Sequence, residues 1–328
     1  MKIEEIIKEI KPLDEAAMQS ARARQDTLTK PRGSLGRLEE LSIQLAGMKA
    51  DPLPVVERKA VIVMAADHGV AREGVSAYPP EVTAQMVLNF LRGGAAINVL
   101  ARQAGARVTV VDIGVAVEFE AAPGLIRRKV MCGPRNQAQG PAMTRAEAEQ
   151  ALQVGVDVLN EEAARGLDIV ATGDMGIGNT TPSSAIAAAL TGLPVAQVVG
   201  RGTGIDDQGL ERKTKIIEQA LSVNHPDAND AMDVLHKVGG LEIAGLAGAM
   251  IAAANRRIPV VVDGFISTAA AMIAVGLAPR VRDYLIAAHQ SVEIGHQAML
   301  RHLDLAPLLD LNLRLGEGTG AALAFHLV

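Results

Sequence analysis

The 328-residue sequence predicts an α/β fold: a parallel, Rossmann-like sheet with helices on both faces, plus a smaller helical domain from the two chain ends. Three observations point there. Four short apolar runs, AVIVMAADHG (60–69), ARVTVVDIG (106–114), LDIVATGD (167–174) and IPVVVDGF (258–265), lack polar alternation, as strands buried on both faces do. Helical stretches lie between them, and strands alternating with helices imply a parallel sheet. Three of the runs close on Asp-His-Gly, Gly-Asp or Asp-Gly. Ligands of open α/β sheets gather at the carboxyl ends of strands, so these ends are expected to converge on one cleft.

At the N-terminus, MKIEEIIKEIK is too charged for a signal peptide, and Ile3, Ile6, Ile7 and Ile10 repeat at helical spacing. KPRGSLGRLEELSIQLAG opens the next expected helix, with Ser34 as N-cap and Leu35, Leu38, Leu41 and Leu45 as its apolar stripe. Pro79 and Pro80 introduce a helix over EVTAQMVLNFL. The expected division is a large α/β domain over 58–290 and a small helical domain from 1–57 with 291–328.

Hydrophobic residues make up 49% of the chain but aromatics only 2%, so the core must be built from Ala, Val, Ile, Leu and Met. A net charge of -5 argues against a nucleic-acid partner. The single cysteine, Cys132, excludes an intramolecular disulfide and a Cys-cluster zinc site, and fits a cytoplasmic location. The longest apolar runs are interrupted before they could span a bilayer, so no membrane partner is expected.

The strongest chemical signal is ATGDMGIGNTTPSS. Glycines at 173, 176 and 178 are followed by Asn179, Thr180 and Thr181, and Pro182 opens a helix. Glycine backbone admits an anion closely and a helix start adds positive dipole, which suits a phosphate monoester. A capped strand-to-helix turn is the plain alternative. A second glycine loop, GRGTGIDD, precedes a helix carrying Lys213, which is either a point charge for phosphate or a solvated helix charge. No Walker loop and no Gly-x-Ser-x-Gly elbow is present. GEGTGA (316–321) matches a dinucleotide fingerprint, but too few residues follow for a βαβ unit. His289 and His296 bracket Glu293 on an expected helix without a second such set, so no metal is expected.

KPRGSLGRLE, ADHGVAREGVSAYPPEVTAQM, GDMGIGNTTP, GRGTGIDD, KVGGLEIAGLAGAM, PVVVDGFIS and LRLGEGTGAALA run in order along nearly the whole chain. Together they resemble the nicotinate-nucleotide–dimethylbenzimidazole phosphoribosyltransferases. The resemblance implies transfer of phosphoribose from nicotinate mononucleotide to 5,6-dimethylbenzimidazole, without cofactor or metal, by a homodimer. It implies that Glu317 is the general base. Ser76, Tyr78, Gln85 and Leu315 would line the base pocket, and Asp174, Gly176, Gly178, Asn179, Thr180, Gly202, Lys213 and Asp263 would hold the nucleotide. Two departures stand out. Asp174 occupies a position where members often carry Glu, and the chain ends at AFHLV where relatives usually continue into another helix. A relative using another base, adenine or a phenol, and a non-catalytic nucleotide-binding module both stay open at this point.

Overall fold

The computed structural model describes residues 2–120 and 122–328. Among these residues, six strands form one parallel sheet: β1 (Lys59–Ala66), β2 (Ala106–Gly114), β3 (Leu125–Arg127), β4 (Ile169–Met175), β5 (Val260–Val262) and β6 (Leu285–Ala287), in the order β3-β2-β1-β4-β5-β6. The order reverses between β1 and β4, a doubly wound arrangement whose switch point favours ligand binding. β1 runs in register with β2 from Lys59↔Ala106 to Ala65↔Asp112 before the pairing slips by one residue.

Alternate residues of β1 enter different cores. Ala60, Ile62, Met64 and Ala66 pack in one apolar cluster, and Val61, Val63 and Ala65 in another on the opposite face. This is why the run shows no polar alternation: both faces are covered. The helices are α1 (Ile3–Glu9), α2 (Glu15–Gln25), α3 (Arg37–Lys49), α4 (Glu81–Leu91), α5 (Ala96–Ala104), α6 (Arg145–Ala164), α7 (Thr180–Thr191), α8 (Asp207–Asn224), α9 (Ala231–Val238), α10 (Leu241–Asn255), α11 (Phe265–Leu277), α12 (Ile294–His302) and α13 (Thr319–Ala324). α1, α6, α10 and α11 join the first cluster, and α4, α5 and α13 the second.

The scarcity of aromatics has its counterpart in the crossing of α6 and α10. A Cβ on Gly155 would strike the Gly245 carbonyl, and one on Gly248 the Leu152 carbonyl, so the two backbones touch. Small residues there replace bulk with close approach, and dispersion accumulates over many near contacts. α10 is buried along almost its whole length. Among the described residues, no helix is long and apolar enough to cross a membrane.

Several local expectations need correction. α3 starts at Arg37 with Gly36, not Ser34, at its N-cap, and Leu35 and Leu38 are exposed while Leu41 and Leu45 are buried. α2 has no counterpart in the sequence reading; Asp14 caps it by accepting the Ala17 N–H at 2.9 Å. The fourth run yields only three strand residues, because Phe265 already begins α11. His289 precedes α12 rather than lying on it, and Glu293 is its N-cap residue. At the chain ends, α1 packs on α10 and α6, α2 packs on α3, and α13 packs on α5, β4 and β5.

Candidate active site

A cavity of about 490 Å³ opens where the segments following β4, β5 and β6 meet the loop before α8 and the loop before α13. That volume suits a small ligand or a pair of them. Eight of the residues singled out from sequence line it: Tyr78, Asp174, Gly176, Asn179, Thr180, Gly202, Leu315 and Glu317. The strand ends do not all converge as expected. Asp174 after the switch point faces the cavity and Asp263 lies behind its wall, but Asp67 and His68 line a separate hollow of about 350 Å³. There the buried His68 Nε2 pairs with Glu242 Oε1 at 2.8 Å.

Glu317 sits in a loop with three successive left-handed residues, Gly316 (φ 80°), Glu317 (φ 64°) and Gly318 (φ 91°). The side chain is only 5% exposed, and its Oε2 has no hydrogen-bond partner among the described residues. Burial pushes its carboxyl up to about 7, the negative charge of Asp263 adds to this, and the Ile97 N–H at the start of α5 opposes it. The neighbouring glycines serve packing rather than an open floor. A Cβ on Gly318 would come within 2.6 Å of Val61 Cγ1, and one on Gly320 would overlap the His289 ring.

The two glycine loops meet across Lys213. Its Nζ donates to Thr180 Oγ1 at 2.7 Å and to the Gly200 carbonyl at 3.1 Å, fully buried. Burial lowers its pKa to about 8, while the Glu293 charge pulls the other way. Lys213 therefore stands behind the loops instead of projecting into the cavity. Gly178 adopts φ 89° and shapes the turn from beneath, packed on Ala71. The Ile177 N–H is committed to Thr83 Oγ1 at 3.0 Å, so it is not part of an anion cradle.

Asp174 accepts from Asn179 Nδ2 at 2.9 Å and lies against Gly316. Burial raises its pKa well above the ordinary carboxylate range, reinforced by Asp263, Glu242 and Glu317. Ser76 lies off the cavity wall, its hydroxyl 3.1 Å from Thr203 Oγ1, and Gln85 is exposed on α4 beside the lining residues Val82 and Met86.

Five polar lining residues were not assigned to the site from the sequence: Thr203, His289, Ser291, Glu293 and Arg314. Glu293 Oε1 accepts the Gly202 N–H at 2.9 Å, and Arg314 Nη1 donates to the Gly202 carbonyl at 3.2 Å. Arg314 and Thr203 could have been found in the quoted LRLGEGTG and GRGTGIDD; His289 and Glu293 figure in the sequence only as metal ligands weighed and set aside, and Ser291 carries no motif. Among the described residues, no three His, Cys, Asp or Glu side chains converge in a way that would hold a metal.

A family model described as Phosphoribosyltransferase matches residues 10–328. The chain is 62% identical over 325 residues to the nicotinate-nucleotide–dimethylbenzimidazole phosphoribosyltransferase of Roseiflexus sp. (strain RS-1), covering 99% of this chain and 92% of that one. The chain belongs to the nicotinate-nucleotide–dimethylbenzimidazole phosphoribosyltransferase family. A second family member, from Desulforudis audaxviator (strain MP104C), is 61% identical over 322 residues, or 98% of this chain and 91% of its own. A crystal structure of the family's enzyme from Thermus thermophilus superposes with a TM-score of 0.92 at 50% identity, covering 96% of this chain and 94% of that one. The Rossmann-like α/β architecture is thus the family's, and the chain is a phosphoribosyltransferase.

Proposed function

We propose that the chain transfers the 5-phosphoribosyl group of nicotinate mononucleotide to 5,6-dimethylbenzimidazole, giving α-ribazole 5′-phosphate and nicotinate, with Glu317 as the single base. The relatives' names supply the substrates. The observation that carries the mechanism is the Glu317 carboxylate, buried in the cavity wall, its Oε2 without a hydrogen-bond partner among the described residues, and shifted to about 7.

The chemistry needs one base and no acid. In the mononucleotide the pyridine nitrogen is cationic while bonded to C1′. As that bond breaks, the pair returns to nitrogen and nicotinate leaves without needing a proton. The incoming benzimidazole attacks C1′ through one nitrogen and must lose the proton from the other, which the Glu317 carboxylate accepts. A base with a pKa near the working pH combines availability with driving force, and such transfers contribute roughly 10²–10⁴-fold. Val82, Met86, Phe265 and Ile266 give the cavity apolar lining that suits a flat bicyclic base. Asn179, Thr180 and Gly202, also in the lining, suit the phosphate, with Lys213 supplying charge from behind.

The same reading includes a cytoplasmic homodimer and the division into 58–290 and 1–57 with 291–328. Exposed Leu28, Leu35 and Leu38 near the N-terminus, and Tyr78, Leu311 and Leu315 near the cavity, offer apolar area that a second copy would cover. The deciding experiment is turnover of nicotinate mononucleotide against a panel of benzimidazoles, purines and phenols, with both products identified by mass. Turnover with 5,6-dimethylbenzimidazole as the preferred acceptor is expected. No turnover with any base would reduce the chain to a nucleotide binder.

A further inference from the structure

Asp263 follows β5, is 1% exposed and contributes nothing to the lining of the cavity. Both its oxygens are committed to the main chain around Glu317. Oδ2 accepts the Gly318 N–H at 3.1 Å and Oδ1 accepts the Ala321 N–H at 2.9 Å. Its own N–H donates to Thr172 Oγ1 on β4 at 3.3 Å, tying it to the sheet. Gly318 is the N-cap residue of α13 and Ala321 lies in its first turn, so these are donors that the helix itself leaves unpaired. A carboxylate from another part of the chain thus caps α13. Just ahead of that cap, Glu317 holds a left-handed conformation that L-residues avoid. Thr319 closes the turn around it locally, its N–H and Oγ1 both donating to the Gly316 carbonyl, and Asp263 anchors the far side of that turn through Gly318 and Ala321.

We propose that Asp263 is a positioning residue for Glu317, fixing the loop that presents the base to the cavity, and not a contact to the nucleotide. The proposal rests on Glu317 being the base. Asp263 also acts on Glu317 through its charge, one of the causes that raise the carboxyl. Among the described residues, the other titratable groups facing this region are Asp174 from β4, His289 after β6, with Nε2 at 3.9 Å from Asp263 Oδ1, and Glu242 from α10, whose charge acts on Asp174.

The test is Asp263→Asn, which keeps the shape but removes one acceptor and the charge. We expect kcat to fall at least about tenfold with KM for nicotinate mononucleotide within about twofold, the signature of a group acting only on the reacting state. The acid limb of the kcat profile should move to lower pH, and amide exchange at Gly318 and Ala321 should accelerate. A raised KM with kcat retained would make Asp263 a nucleotide contact and overturn the proposal. Parallel loss of stability and activity with an unmoved acid limb would make it merely structural and also overturn it. Should the variant not fold, the native protein decides: slow exchange at Gly318 and Ala321 supports the clamp, and fast exchange there overturns it. Glu317→Gln is measured alongside. If it keeps its turnover, the base assignment falls and takes this proposal with it. If it loses turnover while Asp263→Asn keeps the native limb, only the role of Asp263 falls.

Discussion

The main chain of Glu317 rests on Gly173. A Cβ built on Gly173 would overlap the Glu317 carbonyl, with the carbonyl carbon only 2.7 Å away. The base is therefore seated by the absence of a side chain in the middle of β4, and by Asp263 from the neighbouring strand end. The one acid in a bare glycine stretch is held by what lies beneath it.

Gly173→Ala should accordingly lift the Glu317 loop. Overpacking a tight contact costs about 1–3 kcal/mol, so the protein should remain folded but less stable. Turnover should drop on the order of a hundredfold, as small displacements of positioned groups do. Denaturant melts and steady-state kinetics on one preparation check this. Unchanged kinetics would show that the loop absorbs the methyl group.

The sequence revealed these positions unevenly, and the reasons are physical. β1, β2 and β4 were legible because both faces of each are largely buried, which leaves apolar runs without polar alternation. β3 and β6 have three residues each, too few for any pattern. α2 stayed hidden because EAAMQSARARQ buries only Ala17 and Ala21. Within the site, glycine-marked turns announced themselves, since a special backbone leaves a compositional trace. Glu293 did not: its meaning lies in a bond to Gly202, 91 residues away in the chain. Asp263 was named by the resemblance as a residue that would hold the nucleotide, while its bonds to the main chain at 318 and 321 left no trace in the sequence.

Glu317→Gln should keep the fold and the binding of both substrates while losing most turnover, by roughly 10²–10⁴-fold. The pH dependence has a defined sign. The base form is the carboxylate, so native kcat should rise as pH increases through about 7 and level off above it. The same shift bears on stability. The folded state holds a proton that the unfolded chain releases above 4.5, so this group's contribution becomes less favourable as pH climbs from there to about 7. Glu317→Gln should flatten both trends. An acid limb that persists in this variant assigns the limb to another group.

Chelation should leave turnover intact, because the proposed step stabilises no pyrophosphate and draws its one proton acceptor from Glu317. Activity is measured after exhaustive dialysis against a chelator, then with magnesium, manganese or zinc restored. Loss on dialysis with recovery by one ion would mean that the leaving step needs an electrophile.

The phosphate loops yield a prediction with two independent readings. If Asn179, Thr180 and Gly202 receive the 5′-phosphate with Lys213 behind them, nicotinate riboside should be a far poorer substrate than the mononucleotide. Hydrogen bonds to charged groups contribute roughly 1.5–3 kcal/mol each, so losing several should exceed a hundredfold in kcat/KM. Replacing Gly178 is a poor way to test this, because φ 89° makes any side chain there strain the turn itself. Lys213 offers the cleaner route. Burial lowers its pKa to about 8, so its charge is present below that pH and lost as pH rises through it. In the free enzyme, kcat/KM for the mononucleotide should therefore fall on the alkaline side of about 8, giving a narrow optimum between the Glu317 and Lys213 limbs. The riboside, with no phosphate to feel the ammonium, should lack that alkaline limb. Lys213→Met should raise KM for the mononucleotide, abolish the limb and leave riboside turnover within about threefold of native. An alkaline limb shared equally by both substrates would detach Lys213 from the phosphate and leave the glycine loops as turns.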